Sequence, residues 1–263
     1  MTLPPALAAA LGDLDRDGFA VLRGWFGPDD VARMARGFDR LLAMARAGDT
    51  GNTGHSDAGA RFVVDHDPFR LHRVVWCGAA APELALGDHP RFLEVAAAAL
   101  GQPDLVQLIQ QAHFKLPGDE VAFRWHQDAS NRRYGTEFTD VQGTGSYLQL
   151  TVAIDPMTAD NGPLRMVPGS HRLGFVAHPT TGDLPDEVLA DAEPVDVLLE
   201  PGDMAIFGPF VVHGSAPNRS SQPRRLFLQG YTVPGANRRV YPGCGTGIAR
   251  RAPRPLRMTS PAA

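Results

Sequence analysis

Asp128 and His213 stand 85 positions apart, and His126 precedes Asp128 by two. A single centre built from these three side chains cannot be made by one helix or one loop. It needs strands from opposite walls of a barrel, brought together by the fold. Along a strand the side chains alternate, so 126 and 128 share a face while Gln127 points the other way. Two imidazoles and one carboxylate on one metal leave half of an octahedron open, the ligand set of non-haem Fe(II) oxygenases. Without context a His-x-Asp tripeptide is more commonly a surface or capping pair, so the surrounding sequence has to decide.

Helical signals come first along the chain, and strands dominate after residue 105. Gly27-Pro28-Asp29-Asp30 reads as a helix start, followed at helical spacing by Val31, Met34, Phe38, Leu41, Leu42 and Ala45 until Gly48. Arg91 to Leu100 reads as a second helix closed by Gly101, and Phe19 to Leu22 as a short strand. From Leu105 the apolar runs are short and bounded by Gly, Pro, Asn or Asp: Leu105 to Phe114, Val121 to His126, Tyr147 to Ile154, Leu164 to Val167, Val195 to Leu199, Met204 to Phe207 and Leu226 to Val233. That cadence predicts a sandwich or barrel in one domain spanning 1–263. Its parts are a helical N-terminal stretch to about 101, a β core over about 105–240 and a mobile tail from about Gly245, where Arg250, Arg251, Arg254 and Arg257 read as solvated.

At 263 residues with 43% apolar side chains the chain can bury a sizeable core. A net charge of −4 gives no electrostatic reason to expect a nucleic-acid or anionic-membrane partner. Cys77 and Cys244 are the only cysteines and form no CxxC, which argues against a zinc–thiolate site or a disulfide framework and makes a reduced, cytoplasmic setting the expectation. The apolar run Ala6 to Leu11 lacks a basic start and soon meets Asp13, Asp15, Arg16 and Asp17, unlike a signal peptide. Gly143-Thr144-Gly145-Ser146 has no Walker lysine after it, and neither Gly-x-Ser-x-Gly nor His-Glu-x-x-His occurs.

Around the triad, the chain reads Phe123-Arg124-Trp125-His126-Gln127-Asp128, then Tyr147 to Asp155, Asp160-Asn161-Gly162-Pro163-Leu164 and Pro168-Gly169-Ser170-His171. Pro201-Gly202-Asp203, Val212-His213-Gly214-Ser215 and Arg224 follow. This order resembles the phytanoyl-CoA dioxygenase family, which includes ectoine hydroxylases, from about Gly18 to Tyr231. The resemblance implies a mainly β fold, a double-stranded β-helix (jelly roll, cupin-like) with flanking α-helices. It further implies His126, Asp128 and His213 as ligands of Fe(II), with 2-oxoglutarate as cosubstrate and O₂ as oxidant.

By the same resemblance Arg224, eleven positions after His213, binds the distal carboxylate of 2-oxoglutarate through its bidentate fork. Arg225 points the other way if the segment is a strand. Ser215 matches a hydroxyl on the same cosubstrate, and Gln111 and Thr151 match further contacts at positions where family members vary. The implied reaction is oxidative decarboxylation of 2-oxoglutarate to succinate and CO₂, coupled to hydroxylation of a small molecule such as an amino-acid derivative or natural-product intermediate. Desaturation, cyclisation and epoxidation are open to the same family.

Two connections exceed ordinary barrel loops: Ala129 to Ser146, 18 positions, and Arg172 to Pro194. The first starts at the metal and predicts a substrate-facing lid, with Asn131, Arg132, Arg133 and Tyr134 meeting a polar or anionic group. Arg124, on the strand face of His126, is a further candidate anion contact or else one half of a structural ion pair; Phe123 and Trp125 then belong to core packing, and His113 reads as a hydrogen-bonded structural histidine. Two other readings stand beside the oxygenase. One is a cupin-like non-redox metal enzyme or small-molecule binder, which has no use for a carboxylate clamp at Arg224. The other is a halogenase, disfavoured because Asp128 occupies the position where a small residue leaves room for halide.

Overall fold

The computed structural model describes residues 3–50, 59–190, 192–241 and 243–253. In chain order these form α1 (Pro5–Asp17), β1 (Phe19–Leu22), α2 (Pro28–Ala47), β2 (Arg61–His66), β3 (Phe69–Val75) and α3 (Pro90–Ala99). Then come β4 (Asp104–Lys115), β5 (Phe123–His126), α4 (Asp128–Arg132), β6 (Tyr147–Ala153), β7 (Leu164–Met166) and α5 (Asp186–Ala190). The chain closes with β8 (Val195–Val197), β9 (Met204–Phe207), β10 (His213–Ser215), β11 (Arg224–Thr232) and β12 (Ile248–Arg251).

The strands make two antiparallel sheets. The larger runs β1-β9-β6-β11-β4-β3-β2 with β12 also on β4, and the smaller runs β5-β10-β7-β8. This is the double-stranded β-helix with flanking helices that the sequence predicts. Every residue of β6 is buried, because helices cover one face of the large sheet and the small sheet faces the other. On the helical side Phe38 of α2 meets Phe114 of β4 at 5.0 Å between ring centroids, and Phe92 of α3 meets Phe227 of β11 at 5.9 Å. α2 turns Met34, Phe38, Leu41 and Ala45 inward, starts with Pro28 at its first turn and stops at Gly48 in the left-handed region, as its sequence signals require. These contacts hold the large sheet as a rigid wall for whatever lies between the sheets.

Three expectations are corrected. The N-terminal stretch is not simply helical: besides β1, which lies at the expected Phe19 to Leu22 and pairs with β9, the hairpin β2–β3 extends the large sheet through β3 on β4. The tail does not come loose at Gly245, since β12 pairs with β4 over Ile248–Arg251; Arg254 and Arg257 lie outside the described residues. The 129–146 connection is a packed wall rather than a lid. It opens with α4, and its Tyr134 and Phe138 are buried and stack at 4.5 Å. The connection from 172 likewise carries α5 and is tied down by Gln127, whose side chain donates to the carbonyls of Gly174 and Phe210 and accepts from the amides of Val176 and Ala177. No helix among the described residues is long and apolar enough to cross a membrane.

Candidate metal centre and chamber

His126 closes β5 and His213 opens β10, and the two are direct partners across the antiparallel pair. Their rings lie 4.2 Å apart. Asp128 is not on the strand. Gln127 stays extended (φ −112°, ψ 135°), which carries the alternation one residue past β5, and Asp128 becomes the first residue of α4. One ligand atom from each of His126, Asp128 and His213 lies within 4.8 Å of the others, a spacing able to hold one metal ion.

The donor chemistry fits that ion. His126 Nδ1 donates to the carbonyl of Arg124 at 2.7 Å and His213 Nδ1 to that of Val211 at 2.9 Å. Each Nδ1 thus carries the proton, and each Nε2 keeps its lone pair for a metal. Burial, helped by the neighbouring His126, pushes the His213 pKa down to about 4, so the ring is neutral near pH 7. Burial alone would raise the Asp128 pKa, but His213, His126 and Arg132 overcome it and hold the carboxyl below its usual value, as the anion a metal needs.

A cavity of about 510 Å³ opens from this cluster between the sheets. Its large-sheet wall is set by strand parity. Gln111 and His113 enter from β4, Gln149 and Thr151 from β6, and Arg224, Leu226 and Leu228 from β11. Arg224 is 1% exposed and donates from Nε and Nη2 to the Gly162 carbonyl at 3.1 and 2.7 Å. No carboxylate pairs with it among the described residues, and burial lowers its pKa to about 9. Thr151 Oγ1 is likewise buried without a hydrogen-bond partner. Gly162, at φ +73°, is where a side chain is forbidden twice over, since a Cβ would stand 2.3 Å from the Ala216 carbonyl oxygen.

Arg225 has the opposite fate. It leaves the chamber, chelates Asp155 at 2.8–2.9 Å and reaches Asp39 at 2.7 Å. The two consecutive arginines are therefore one unpaired cation facing the cavity and one structural ion pair.

Sequence reasoning missed Lys115. It is fully buried at the end of β4, directly opposite Arg224, and donates to Ser215 Oγ at 2.7 Å and to the Ala216 carbonyl. Burial and the neighbouring Arg224 lower its pKa to about 6. Because Ser215 Oγ accepts from Lys115, its own proton is free to point into the chamber. The available signal was a lysine ending a strand that already carries Gln107, Gln110, Gln111 and His113, which is ambiguous with a solvated strand end.

The expected substrate contacts divide. Asn131 and Arg132 line the chamber, whereas Arg133 pairs with Glu137 at 3.1 Å on the surface and Tyr134 packs into the core. Arg124 also points away, to Asp183 and the Thr181 carbonyl. The reason is a register shift between β5 and β10: His213 pairs with His126 but Ser215 with Phe123. One extra residue in β5 is a bulge that reverses the alternation. Phe123, expected in the core, thus lines the chamber and stacks on His113 at 5.2 Å. His113 is hydrogen-bonded to Gln111 at 2.7 Å, as expected, yet also lines the cavity. Arg61, Arg73, Trp76, Arg239 and Tyr241 complete the wall without having been singled out in the sequence.

Comparison with known proteins agrees with this architecture. The chain is 24% identical over 238 residues to the multifunctional dioxygenase prhA of Penicillium brasilianum, covering 85% of this chain and 72% of that protein. It is 27% identical over 243 residues to the ectoine dioxygenase of Sphingopyxis alaskensis, covering 84% and 74%. With two other curated relatives the match spans about half of the relative's length. The fold is that of the epimerase SnoN, solved with Fe³⁺, α-ketoglutarate and nogalamycin RO, at a TM-score of 0.68, 22% identity, and coverage of 99% of this chain and 97% of that one. Residues 14–226 match the phytanoyl-CoA dioxygenase (PhyH) family, and the chain belongs to it.

Proposed function

We propose that this chain is an Fe(II)- and 2-oxoglutarate-dependent oxygenase that hydroxylates a small molecule held in the chamber. The observation that carries the reading is Arg224, a buried guanidinium with no carboxylate partner, lining the same cavity as the His126–Asp128–His213 cluster. A carboxylate of the cosubstrate supplies what Arg224 lacks, through a bidentate pair in a dry site. A non-redox metal protein of the cupin type has no need of such a cation.

In this reading His126, Asp128 and His213 hold the iron, and Arg224 and Ser215 hold the distal carboxylate of 2-oxoglutarate. Gln111 and Thr151 border the space between, with Thr151 Oγ1 available as a donor. Iron with 2-oxoglutarate and O₂ supplies the oxidising power for C–H functionalisation, with succinate and CO₂ as coproducts. The protein's share is to leave metal positions open, orient the cosubstrate from one side, and exclude water with Phe123, Phe207, Leu226 and Leu228. Asp128 retains the carboxylate that a halogenase gives up.

The test is twofold. Anaerobic titration of the Fe(II) protein with 2-oxoglutarate should give a saturable absorbance change. A metabolite-library screen should then find compounds that stimulate succinate formation and gain one oxygen atom. Absence of 2-oxoglutarate binding overturns the oxygenase reading. A stimulating compound that emerges desaturated, cyclised or epimerised overturns hydroxylation and leaves the oxygenase.

A further inference from the structure

The chamber holds more positive charge than the cosubstrate site uses. Arg132 is 6% exposed and lies four residues after Asp128, one turn along α4 on the same face. Its guanidinium stacks over Tyr147 at 5.4 Å and Tyr241 at 5.2 Å and donates from Nη1 to the Tyr241 hydroxyl at 3.1 Å. Its Nε is buried without a partner, and no carboxylate forms an ion pair with it among the described residues. A second cation, Arg239, stacks over the same Tyr241 ring at 5.0 Å. The nearest acid to Arg239 is Glu137 at 3.7 Å, which Arg133 holds more closely at 3.1 Å. Across the chamber Arg73 has no carboxylate partner among the described residues, and burial and Arg61 both disfavour its charge. Asp128 is the one acid among the lining residues, and it belongs to the metal.

Two guanidiniums over one ring repel each other, and although Tyr147, Tyr241 and the more distant Asp128 favour the Arg132 charge against its burial, no carboxylate among the described residues touches its guanidinium. Tyrosine faces offset part of this, since an aromatic face attracts a cation, but they do not neutralise it. A ligand anion does. We infer that Arg132 seats an oxyanion on the substrate, a carboxylate or a phosphoryl group, so that the small molecule enters as an anion with its charge one helical turn from the metal ligands. This rests on the oxygenase reading for the word substrate, but the anion seat itself does not depend on iron or 2-oxoglutarate. Arg224 is a separate cation whose partner is the cosubstrate, so the two arginines divide two anions between them.

Three probes with one ring test the assignment: benzoate, phenylphosphonate and uncharged benzyl alcohol. Each is titrated by calorimetry into the full chain, first metal-free and then anaerobically with Fe(II) and saturating 2-oxoglutarate. The two acids should bind at least tenfold tighter than benzyl alcohol, and 2-oxoglutarate should not displace them. Their relative affinities tell a carboxylate seat from a phosphoryl seat. Arg132→Gln should weaken the preferred acid at least tenfold with the affinity for 2-oxoglutarate unchanged, and Arg132→Lys should restore part of the loss. If Arg132→Gln does not fold, Arg239→Gln should still weaken the acids severalfold by lowering the local positive potential. Acids no tighter than benzyl alcohol, acids displaced by 2-oxoglutarate, or a folded Arg132→Gln protein that binds them normally each overturn the seat. Loss of 2-oxoglutarate binding with the acid preference intact would instead strike only the oxygenase reading.

Discussion

Lys115 and Arg224 face each other across β4 and β11 and both donate to the carbonyl of Gly162, at 3.5 Å from Nζ and 2.7 Å from Nη2. A buried guanidinium and a buried amine, the latter protonated only below about pH 6, thus converge on one neutral oxygen. Such an arrangement is tolerable when an anion completes it, and the metal cluster lies in the same cavity as the Arg224 face.

Replacing Arg224 with Gln should weaken 2-oxoglutarate by about 3–5 kcal/mol, the cost of removing one partner of a buried ion pair. The cosubstrate-free protein should keep or gain melting temperature, because an uncompensated buried charge has gone. Arg225→Gln should do the reverse. It strands Asp155 and breaks the contact with Asp39, so stability should fall by about 1–3 kcal/mol while 2-oxoglutarate affinity holds. Calorimetric titration and thermal melts on both variants check the pair; a cosubstrate defect in Arg225→Gln would reverse the assignment.

Lys115 adds a pH signature. With a folded pKa lowered to about 6, this lysine binds fewer protons in the folded state than in the unfolded chain at higher pH. Its contribution therefore makes the cosubstrate-free protein more stable as pH rises from about 6 towards the ordinary lysine range, and less stable on acidification. An arriving carboxylate favours the protonated amine, so 2-oxoglutarate affinity should decline as pH rises above about 6. Lys115→Met should flatten both dependences. A wild-type affinity that is level with pH would remove the linkage.

Asp128 is the sharpest test of the metal centre. Asp128→Ala leaves His126 and His213 with their Nδ1 hydrogen bonds and removes the anionic ligand. Fe(II) affinity should drop, turnover at saturating Fe(II) and 2-oxoglutarate should collapse, and melting of the metal-free protein should change modestly. Asp128→Asn retains a neutral oxygen and should keep traces of activity. Near wild-type turnover in folded Asp128→Ala would take Asp128 off the metal.

Gly162→Ala should harm the cosubstrate site from outside it. The added methyl meets the Ala216 carbonyl in a backbone conformation that disfavours any L side chain, so the 162 carbonyl must shift, and with it the acceptor of Arg224. A loss of 2-oxoglutarate affinity and of about 1–3 kcal/mol in stability is expected, the range for a strained backbone site. Denaturant unfolding alongside the titration separates the two effects.

Much of this was legible in the sequence, for identifiable reasons. Long apolar strands announce themselves, and β4, β6, β9 and β11 fall within two or three residues of their predicted bounds. The choice of Arg224 over Arg225 rested on the spacing of eleven from His213, and the two side chains do point opposite ways in the part of β11 that precedes its register shift at Gly230/Tyr231. Where alternation breaks, sequence reasoning fails: the β5 bulge exchanged Phe123 for Arg124, and nothing in Phe-Arg-Trp-His marks an extra residue. The hairpin β2–β3 was missed because Arg61, Asp65, His66, Arg70, His72 and Arg73 make it too polar to read as a strand pair. α1 was missed although Pro5 and the left-handed Gly18 bracket it, because its apolar run was weighed only as a leader. Arg132 was named but not its surroundings, since Tyr147 and Tyr241 come from distant segments.

The bulge in β5 divides that strand into two halves with different freedoms. From His126 onward, register is pinned by pairing with His213 and by the carbonyl contacts that orient both rings. Before it, the strand answers to a different partner, Ser215, through an offset that one residue more or fewer would reset. Deleting Arg124 or Trp125 would remove the bulge and keep Phe123 inward, whereas sliding the uncut segment so that Arg124 faces Ser215 would turn Arg124 inward in place of Phe123 and leave the ligands where they are. A chain built this way can exchange an aromatic wall for a charged one by a change of register alone, so the identity of its guest can drift over evolutionary time while the chemistry beside it stays put.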